Sequence, residues 1–157
     1  MSKTQSKTLA GEVGKRQPFD SLRQEAYLNL VRTHTQLAGQ LSRLFKQHGL
    51  TDPKYNALRI LRGEGKPMQV YQIAERMVTP QTDVTRLVYR LEEAGLVERE
   101  RCGEDRRVVW VTLTRRGKDV LKKLDQPVAD LHESQFAGLT KTELKQLNDL
   151  LFRSRQN

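Results

Sequence analysis

Apolar residues recur at helical spacing along most of this chain, so the pattern predicts a mostly helical protein. The first stripe runs from about Asp20 to Gly49 and is long for a domain of this size. Shorter helices are predicted from Thr51 or Asp52 to about residue 62, over 70–77, over about 80–94, from Thr114 onwards and from Thr140 onwards. Residues 1–18 show no such periodicity and are predicted to form a flexible tail.

The stretch from Thr79 to Gly95 carries the most informative pattern. Thr79 is predicted to cap a helix with Pro80 at its first position, and Gly95 is predicted to end that helix in a left-handed C-cap. Apolar residues at i, i+3, i+4 and i+7 from Val84 to Leu91 form a core face. The other face offers hydroxyls and arginines, which suit base edges in a major groove, although an ordinary amphipathic helix is the alternative for this stretch alone. The residues predicted to read DNA are Thr82, Thr85, Arg86, Tyr89 and Arg90.

A second helix and a hairpin flank this stretch. Residues 70–77 predict a short helix whose small Ala74 allows a close crossing, as in a helix-turn-helix. Residues 96–102 and 107–113 alternate or carry β-branched and aromatic side chains around a short charged loop, so they predict a β-hairpin. The predicted fold class is therefore α+β, mostly α, with a winged helix-turn-helix.

Arginines lie at the predicted tip of this hairpin. A planar guanidinium suits phosphates or a narrow minor groove, so Arg106 and Arg107 are predicted to bind DNA as a wing. Asp105 is predicted to brace an arginine or the turn itself. The alternative is that these charges only protect an exposed sheet edge from aggregation. The lesser candidates for phosphate contacts are Thr79, Gln81 and Lys118.

The net charge of the chain indicates what kind of partner it binds. The 157 residues include 28 Lys and Arg against 19 Asp and Glu, for a formal net charge of +9. Such a surplus favours a polyanion, either nucleic acid or an anionic membrane surface. The sequence has no long apolar run, so neither a membrane span nor a signal peptide is expected. The single cysteine rules out an intramolecular disulfide, and a cytoplasmic protein is expected.

The sequence offers no pattern for catalysis or for a resident cofactor. It contains no glycine-rich phosphate loop and no nucleophile motif. The histidines, His34, His48 and His132, are scattered and lack metal-ligand spacing. Cys102 has two arginines near it but no resolving partner, and such a thiol is more often inert. We therefore expect no enzyme activity, no metal and no cofactor.

Two adjoining segments resemble a known family. The run GLVERERCGEDRRVVWVTLTRRG, behind the helix TDVTRLVYRLEEAG, is similar to the winged helix-turn-helix of the multiple antibiotic resistance regulator (MarR) family. The likeness runs from about Asp20 to the last residue and is sharpest between Ile73 and Gly117. The family's wing motif is an Asp, any residue and an Arg, then a strand, Leu-Thr and a Gly. The matching residues are Asp105, Arg107, Leu113, Thr114 and Gly117.

The resemblance implies a homodimeric transcriptional regulator, expected to be a repressor, that binds a palindromic operator in double-stranded DNA. The recognition helix, about 80–94, would enter the major groove, and the wing, about 97–113, the minor groove. A small aromatic or phenolic effector would release the DNA. Some relatives sense oxidation instead, through a cysteine in the first helix, whereas Cys102 lies at the end of the first wing strand.

The domain organisation follows from these elements. Residues 1–18 are the flexible tail, 19–50 a dimerisation helix, 51–114 the DNA-binding region, and 115–157 further dimerisation helices. Pro127 is expected to kink or break the first of those helices. The alternative function is a winged-helix interaction module that binds RNA or a protein partner through the same surface.

Overall fold

The computed structural model of the chain describes residues 8–101, 103 and 108–156. It confirms the predicted fold class, because most of these residues are helical and the strands form one small antiparallel sheet. The chain divides between Gln40 and Leu41 into two compact units, and this boundary falls within the second helix. No helix in the described part of the chain is long and apolar enough to cross a membrane.

The described residues form seven helices and three strands. The helices are α1 (Leu9–Glu12), α2 (Leu22–Gln47), α3 (Asp52–Glu64), α4 (Val70–Arg76), α5 (Val84–Glu93), α6 (Arg115–Gln135) and α7 (Lys141–Arg153). The strands are β1 (Met68–Gln69), β2 (Val97–Arg101) and β3 (Val109–Leu113), and their order in the sheet is β1-β3-β2.

The first unit contains a helical turn where the sequence predicts an irregular tail. The backbone N–H of Gly11 donates to the Thr8 hydroxyl at 3.3 Å, so Thr8 caps α1. Leu9 is buried, and Glu12 forms an ion pair with Arg32 of α2 at 2.8 Å. A cap and one buried leucine are too short a signal for a periodicity argument, which explains the difference.

The second unit contains the main hydrophobic core. Helices α3, α4, α5 and α6 each contribute a fully buried residue, and the sheet contributes Val97 and Val111. The predicted start of α3 is confirmed, since Thr51 is its N-cap and Pro53 lies in the first turn. The cap of α4, which the sequence left open, is Gln69, whose N–H donates to the Gln72 side chain at 2.9 Å.

Helix α5 starts later than predicted. It begins at Val84 rather than at residue 80, because Asp83 is its N-cap and accepts a hydrogen bond from the Arg86 N–H at 2.8 Å. Thr79, Pro80, Gln81 and Thr82 lie in the connection that precedes the helix. The prediction of Thr79 as the cap is therefore wrong: an aspartate closer to the apolar stripe provides the better cap.

The end of α5 agrees with the prediction. Gly95 has a left-handed backbone with φ of 69°. Its N–H donates to the Glu92 carbonyl at 2.7 Å, and the Leu96 N–H donates to the Leu91 carbonyl at 2.9 Å. This pair of bonds is a Schellman motif, and it turns the chain directly into β2.

The predicted hairpin is confirmed, with Val97 opposite Leu113 and Arg101 opposite Val109. Strand β1 was not predicted, because a two-residue strand shows no alternation of its own. It pairs with β3, with Met68 opposite Val111. The sheet therefore joins the connection before α4 to the wing.

The last two helices agree with the predicted caps but not with a break at Pro127. Helix α6 continues through Pro127, where Leu124 and Val128 are buried on either side of the proline. Helix α7 starts with the predicted capping box: Thr140 N–H donates to the Glu143 carboxylate at 2.7 Å, and Glu143 N–H donates to the Thr140 hydroxyl at 3.3 Å. No residue of α7 is buried.

Candidate nucleic-acid interface

The exposed side of α5 brings together four of the five residues predicted to read DNA. Val84, Val88 and Leu91 anchor the helix in the core. The opposite side is exposed and carries Thr85, Arg86, Tyr89 and Arg90, which we call the reader face. The fifth residue, Thr82, is also exposed, but it lies before the helix and not on it.

The charges of the reader face are not neutralised by other described residues. Within the described ranges, neither Arg86 nor Arg90 takes part in an ion pair. Both guanidinium groups are therefore available for an anionic or hydrogen-bonding partner. Arginine presents a planar fork of donors that matches a phosphate or the edge of a guanine.

Tyr89 is held by a residue from the wing. Arg99 of β2 donates from Nε to the Glu92 carboxylate at 2.6 Å, and its Nη2 lies 2.5 Å from the same oxygen. The Arg99 guanidinium also lies 5.2 Å from the centroid of the Tyr89 ring. This contact could not be predicted from the sequence, because it joins residues on two elements and no local pattern fixes how those elements lie against each other.

A cleft lies between α4 and the start of α5. Its lining includes Tyr71 and Ala74 from α4 and Thr82 and Thr85 from the other side. Ala74 is partly buried, in keeping with the close crossing expected for a helix-turn-helix. Tyr71 is 56% exposed and lines the same cleft as Thr82 and Thr85. Tyr71 is not among the predicted site residues; the only sequence signal for it is a tyrosine on the polar side of the α4 pattern.

The three lesser candidates for phosphate contacts do not lie on the reader face. The side-chain amide of Gln81 donates to the carbonyls of Thr79 and Pro80 at 3.1 and 3.2 Å, so it is engaged with the local backbone. Thr79 is exposed in the same connection. Lys118 is exposed in the first turn of α6, on a different element from the reader face.

The three residues predicted at the wing tip, Asp105, Arg106 and Arg107, lie outside the described residues, as does Cys102. The described part of the wing is β2 up to Arg101, then Gly103, then the chain from Val108, just before β3. The remaining motif residues, Leu113, Thr114 and Gly117, are all described: Leu113 is buried in β3, and Thr114 and Gly117 lie at the start of α6.

Thr114 fastens the start of α6 to the end of α5. Its hydroxyl donates to the Gly95 carbonyl at 2.8 Å and accepts from the Gly117 N–H at 3.0 Å. Its own N–H donates to the Leu96 carbonyl at 3.2 Å. A Cβ atom on Gly117 would lie only 2.2 Å from the Leu96 carbonyl oxygen, so only glycine fits there. The start of α6 is thus hydrogen-bonded to, and closely packed against, the two residues that end α5 and lead into β2.

Two further sets of ion pairs in the second unit do not involve the residues of the reader face. Arg62 of α3 makes two hydrogen bonds to Asp125 of α6, at 2.6 and 3.0 Å, which raise the pKa of Arg62 and lower the pKa of Asp125. Arg76 hydrogen-bonds to Glu64 and lowers the pKa of that carboxyl group. Among the described residues, no three His, Cys, Asp or Glu side chains are grouped so as to hold a metal ion.

Comparison with known proteins supplies the family. A family model described as "MarR family" matches residues 48–108. The HTH-type transcriptional repressor IacR of Pseudomonas putida is 30% identical over 122 residues, which cover 78% of this chain and 72% of that protein.

Solved structures give the same result for the fold. The crystal structure of a MarR transcription factor from Planctomyces limnophilus is 44% identical, covers 85% of this chain and 98% of its own, and has a TM-score of 0.68. Sco3205, a MarR family transcriptional regulator from Streptomyces coelicolor solved in complex with DNA, has a TM-score of 0.76. It is 23% identical and covers 88% of this chain and 90% of its own, so this likeness concerns the fold alone.

Proposed function

This chain belongs to the MarR family of transcriptional regulators, and from that premise we propose that it binds a palindromic DNA operator as a homodimer. The observation that carries the proposal is the reader face of α5. It presents two arginines, a tyrosine and a threonine on a helix whose other side is anchored in the core. An exposed helix of this kind fits the width of a major groove.

Each reader residue has a chemical role in this proposal. Arg86 lies near the start of α5 and donates two hydrogen bonds to the O6 and N7 atoms of a guanine. Thr85, Tyr89 and Arg90 contact neighbouring base edges and phosphates, while Thr82 contacts the backbone from the preceding connection. Thr79, Gln81 and Lys118 remain lesser candidates for phosphate contacts.

The wing completes the contact with DNA. We propose that Arg106 and Arg107 enter the adjacent minor groove, where the negative potential is strong and a planar guanidinium fits. Asp105 directs Arg107 by accepting its hydrogen bonds. The resemblance of the Asp105-to-Gly117 motif to the family supports these roles.

Exposed apolar residues support a homodimer. In α2, Leu22 is 85% exposed, and Tyr27, Leu30 and Val31 are exposed as well. In α7, Leu150 and Phe152 are more than half exposed. Exposed apolar side chains on these helices are candidates for contacts with a second copy of the chain, which would remove them from water. A two-fold dimer would place two reader helices one turn of DNA apart, roughly 34–36 Å.

The finer assignments rest on the family. We propose repression as the mode of regulation, which the name of the Pseudomonas putida relative supports. A small aromatic or phenolic molecule is the class of effector that the resemblance implies. We place the protein in the cytoplasm with its DNA, and we assign no reaction to it.

The test is selection of bound sites from a pool of random duplex oligonucleotides, with and without candidate aromatic acids. The proposal predicts enrichment of a palindrome with two half-sites about one helical turn apart. A pool that shows no enrichment contradicts sequence-specific binding. A salt series separates the alternative interaction module, since phosphate neutralisation gives DNA affinity a steep dependence on salt and a protein partner does not.

A further inference from the structure

One contact on the reader face involves a residue that is not itself part of that face. Arg99 lies on β2, and its side chain is 27% exposed, while that of Glu92 is 34% exposed. This partial burial protects the Arg99–Glu92 pair from much of the screening that weakens surface ion pairs. Tyr89, in contrast, is 48% exposed, so part of its ring contacts the Arg99 guanidinium and part remains open to a ligand.

We propose that Arg99 is a positioning residue for sequence recognition, which fixes the direction in which Tyr89 meets the DNA bases. The inference rests on the proposed function and assigns a role in it to a residue outside the reader face. An exposed tyrosine on a helix has several rotamers, and the guanidinium 5.2 Å from its ring centroid stabilises one of them.

Glu92 holds the guanidinium in place for this purpose. Two of the three guanidinium nitrogens of Arg99 lie within 2.6 Å of one Glu92 oxygen, so the plane of the group is determined by the carboxylate. Glu92 and Tyr89 are three residues apart on α5 and therefore lie on the same side of the helix. Glutamate, arginine and tyrosine thus form one unit, which we call the Arg99 triad.

The triad also connects two DNA-binding elements. Arg99 belongs to the wing, while Glu92 and Tyr89 belong to the recognition helix. If the triad were only a structural contact between these elements, its loss would lower stability and would weaken binding to every DNA sequence alike. A positioning role makes a different prediction, since it changes the preference for the base pair that Tyr89 faces.

The experiment compares dissociation constants for the selected palindrome, for its single-base variants and for random duplex DNA. Arg99→Ala is expected to lower discrimination at the base pairs facing Tyr89 by about two- to fivefold, the scale of an exposed cation–π contact. Arg99→Lys should recover part of this discrimination, because a lysine retains the charge but not the planar fork.

Two matched variants separate positioning from charge. Glu92→Gln should reproduce the loss of discrimination, whereas Glu93→Gln removes the same charge from the next residue, which forms no ion pair in the described part of the chain. Arg101→Ala removes one positive charge from an exposed residue of the same strand and should weaken binding to all sequences equally. In a Tyr89→Ala background, Arg99→Ala should have no further effect on discrimination.

Equal losses on all sequences, or equal effects of Glu92→Gln and Glu93→Gln, would overturn the positioning role. A drop in thermal stability for Arg99→Ala that Arg99→Lys reverses, without any change in base preference, would also overturn it and leave only a structural tie. A wild-type protein that selects no sequence would instead overturn the proposed function. The two failures are therefore distinct.

Discussion

Gly117 shows how a single atom constrains the candidate DNA-binding surface. The Leu96 carbonyl oxygen occupies the place that a Cβ atom would take, and the Leu113 side chain lies 2.7 Å from the same point. Leu96 directly follows the C-cap of α5, and Gly117 lies in the first turn of α6. A larger residue must therefore push α6 away from the end of α5.

The corresponding prediction is that Gly117→Ala destabilises the protein by roughly 1–3 kcal/mol, the usual cost of overpacking a tight site. Denaturant unfolding measures this change. Gly63→Ala is the matched control, because Gly63 lies in helix α3 with nothing within 4 Å of its built Cβ atom. That variant should be more stable than the wild type by up to about 1 kcal/mol. Equal behaviour of the two variants would contradict the close-approach argument.

A second residue-scale prediction concerns Asp105, which lies outside the described residues. Asp105 carries a negative charge where phosphate would repel it, so it needs a local role. If it directs Arg107, Asp105→Asn weakens DNA binding, and most of the loss disappears in an Arg107→Ala background. If it is only a turn residue, the same change removes a repulsion and tightens binding. We predict weaker binding with strong coupling between the two residues, measured as affinities of the four proteins of this double-mutant cycle. Additive effects, or tighter binding by Asp105→Asn alone, would contradict the role of Asp105.

At the scale of elements, the Arg62–Asp125 pair joins α3 to α6 across the second unit. The hydrogen bonds from Arg62 lower the pKa of Asp125 in the folded state. A lowered folded-state pKa means that the pair stabilises the protein above the unfolded-state pKa of an aspartate, about 4, and that this stability is lost as the pH falls through the folded-state value. Arg59, 3.6 Å from the same carboxylate, acts in the same direction.

We therefore predict that the stability advantage of the wild type over Asp125→Asn is largest at neutral pH and shrinks below about pH 4. Urea unfolding across this pH range measures the difference. Asp130→Asn, on the same helix, is the control, since Asp130 accepts a hydrogen bond from the neutral side chain of Gln126. An advantage over Asp125→Asn that stays constant as the pH falls would show that the ion pair contributes no stability.

Local chemistry made most elements predictable from the sequence. Thr140 with Glu143, Thr114 and Gly95 lie at helix ends in the structure, because capping depends on residues within four positions of each other. The predicted start of α5 was wrong because two residues able to cap a helix, Thr79 and Asp83, lie within five positions of each other. Strand β1 was missed because its only partner is β3, more than forty positions later.

The candidate site divides in the same way. Periodicity alone placed Arg86, Tyr89 and Arg90 opposite the buried side of α5. The contact of Arg99 with Tyr89 depends on the direction that β2 takes after the turn at Gly95. The periodicity of the sequence does not specify that direction. Elements and faces were therefore predictable, while contacts between elements were not.

At the scale of the whole molecule, α7 is a proposed part of the dimer interface. It buries no residue within the chain, yet Leu150 and Phe152 are exposed on it. Removal of residues 140–157, or Leu150→Asp, is therefore expected to weaken dimerisation without unfolding the core. Asn148→Asp adds the same charge at an exposed polar position and is the control. Light scattering of a truncated protein that remains dimeric at low concentration would remove α7 from the interface.

A dimer presents the reader face twice, so each half-site of the DNA would receive one copy of it. If α5 reads bases, each copy of Arg86 contacts one half-site, and the contact exists only on the correct sequence. If Arg86 binds phosphate, it does so on any duplex. The two cases therefore differ in which DNA sequences lose affinity when Arg86 is removed.

The direct measurement is the affinity of wild type and Arg86→Ala for the selected palindrome and for random duplex DNA of the same length. We expect a loss of about 1–3 kcal/mol for each half-site on the palindrome and a much smaller loss on random DNA. Equal losses on both duplexes would contradict base reading by α5 and reduce Arg86 to a phosphate contact.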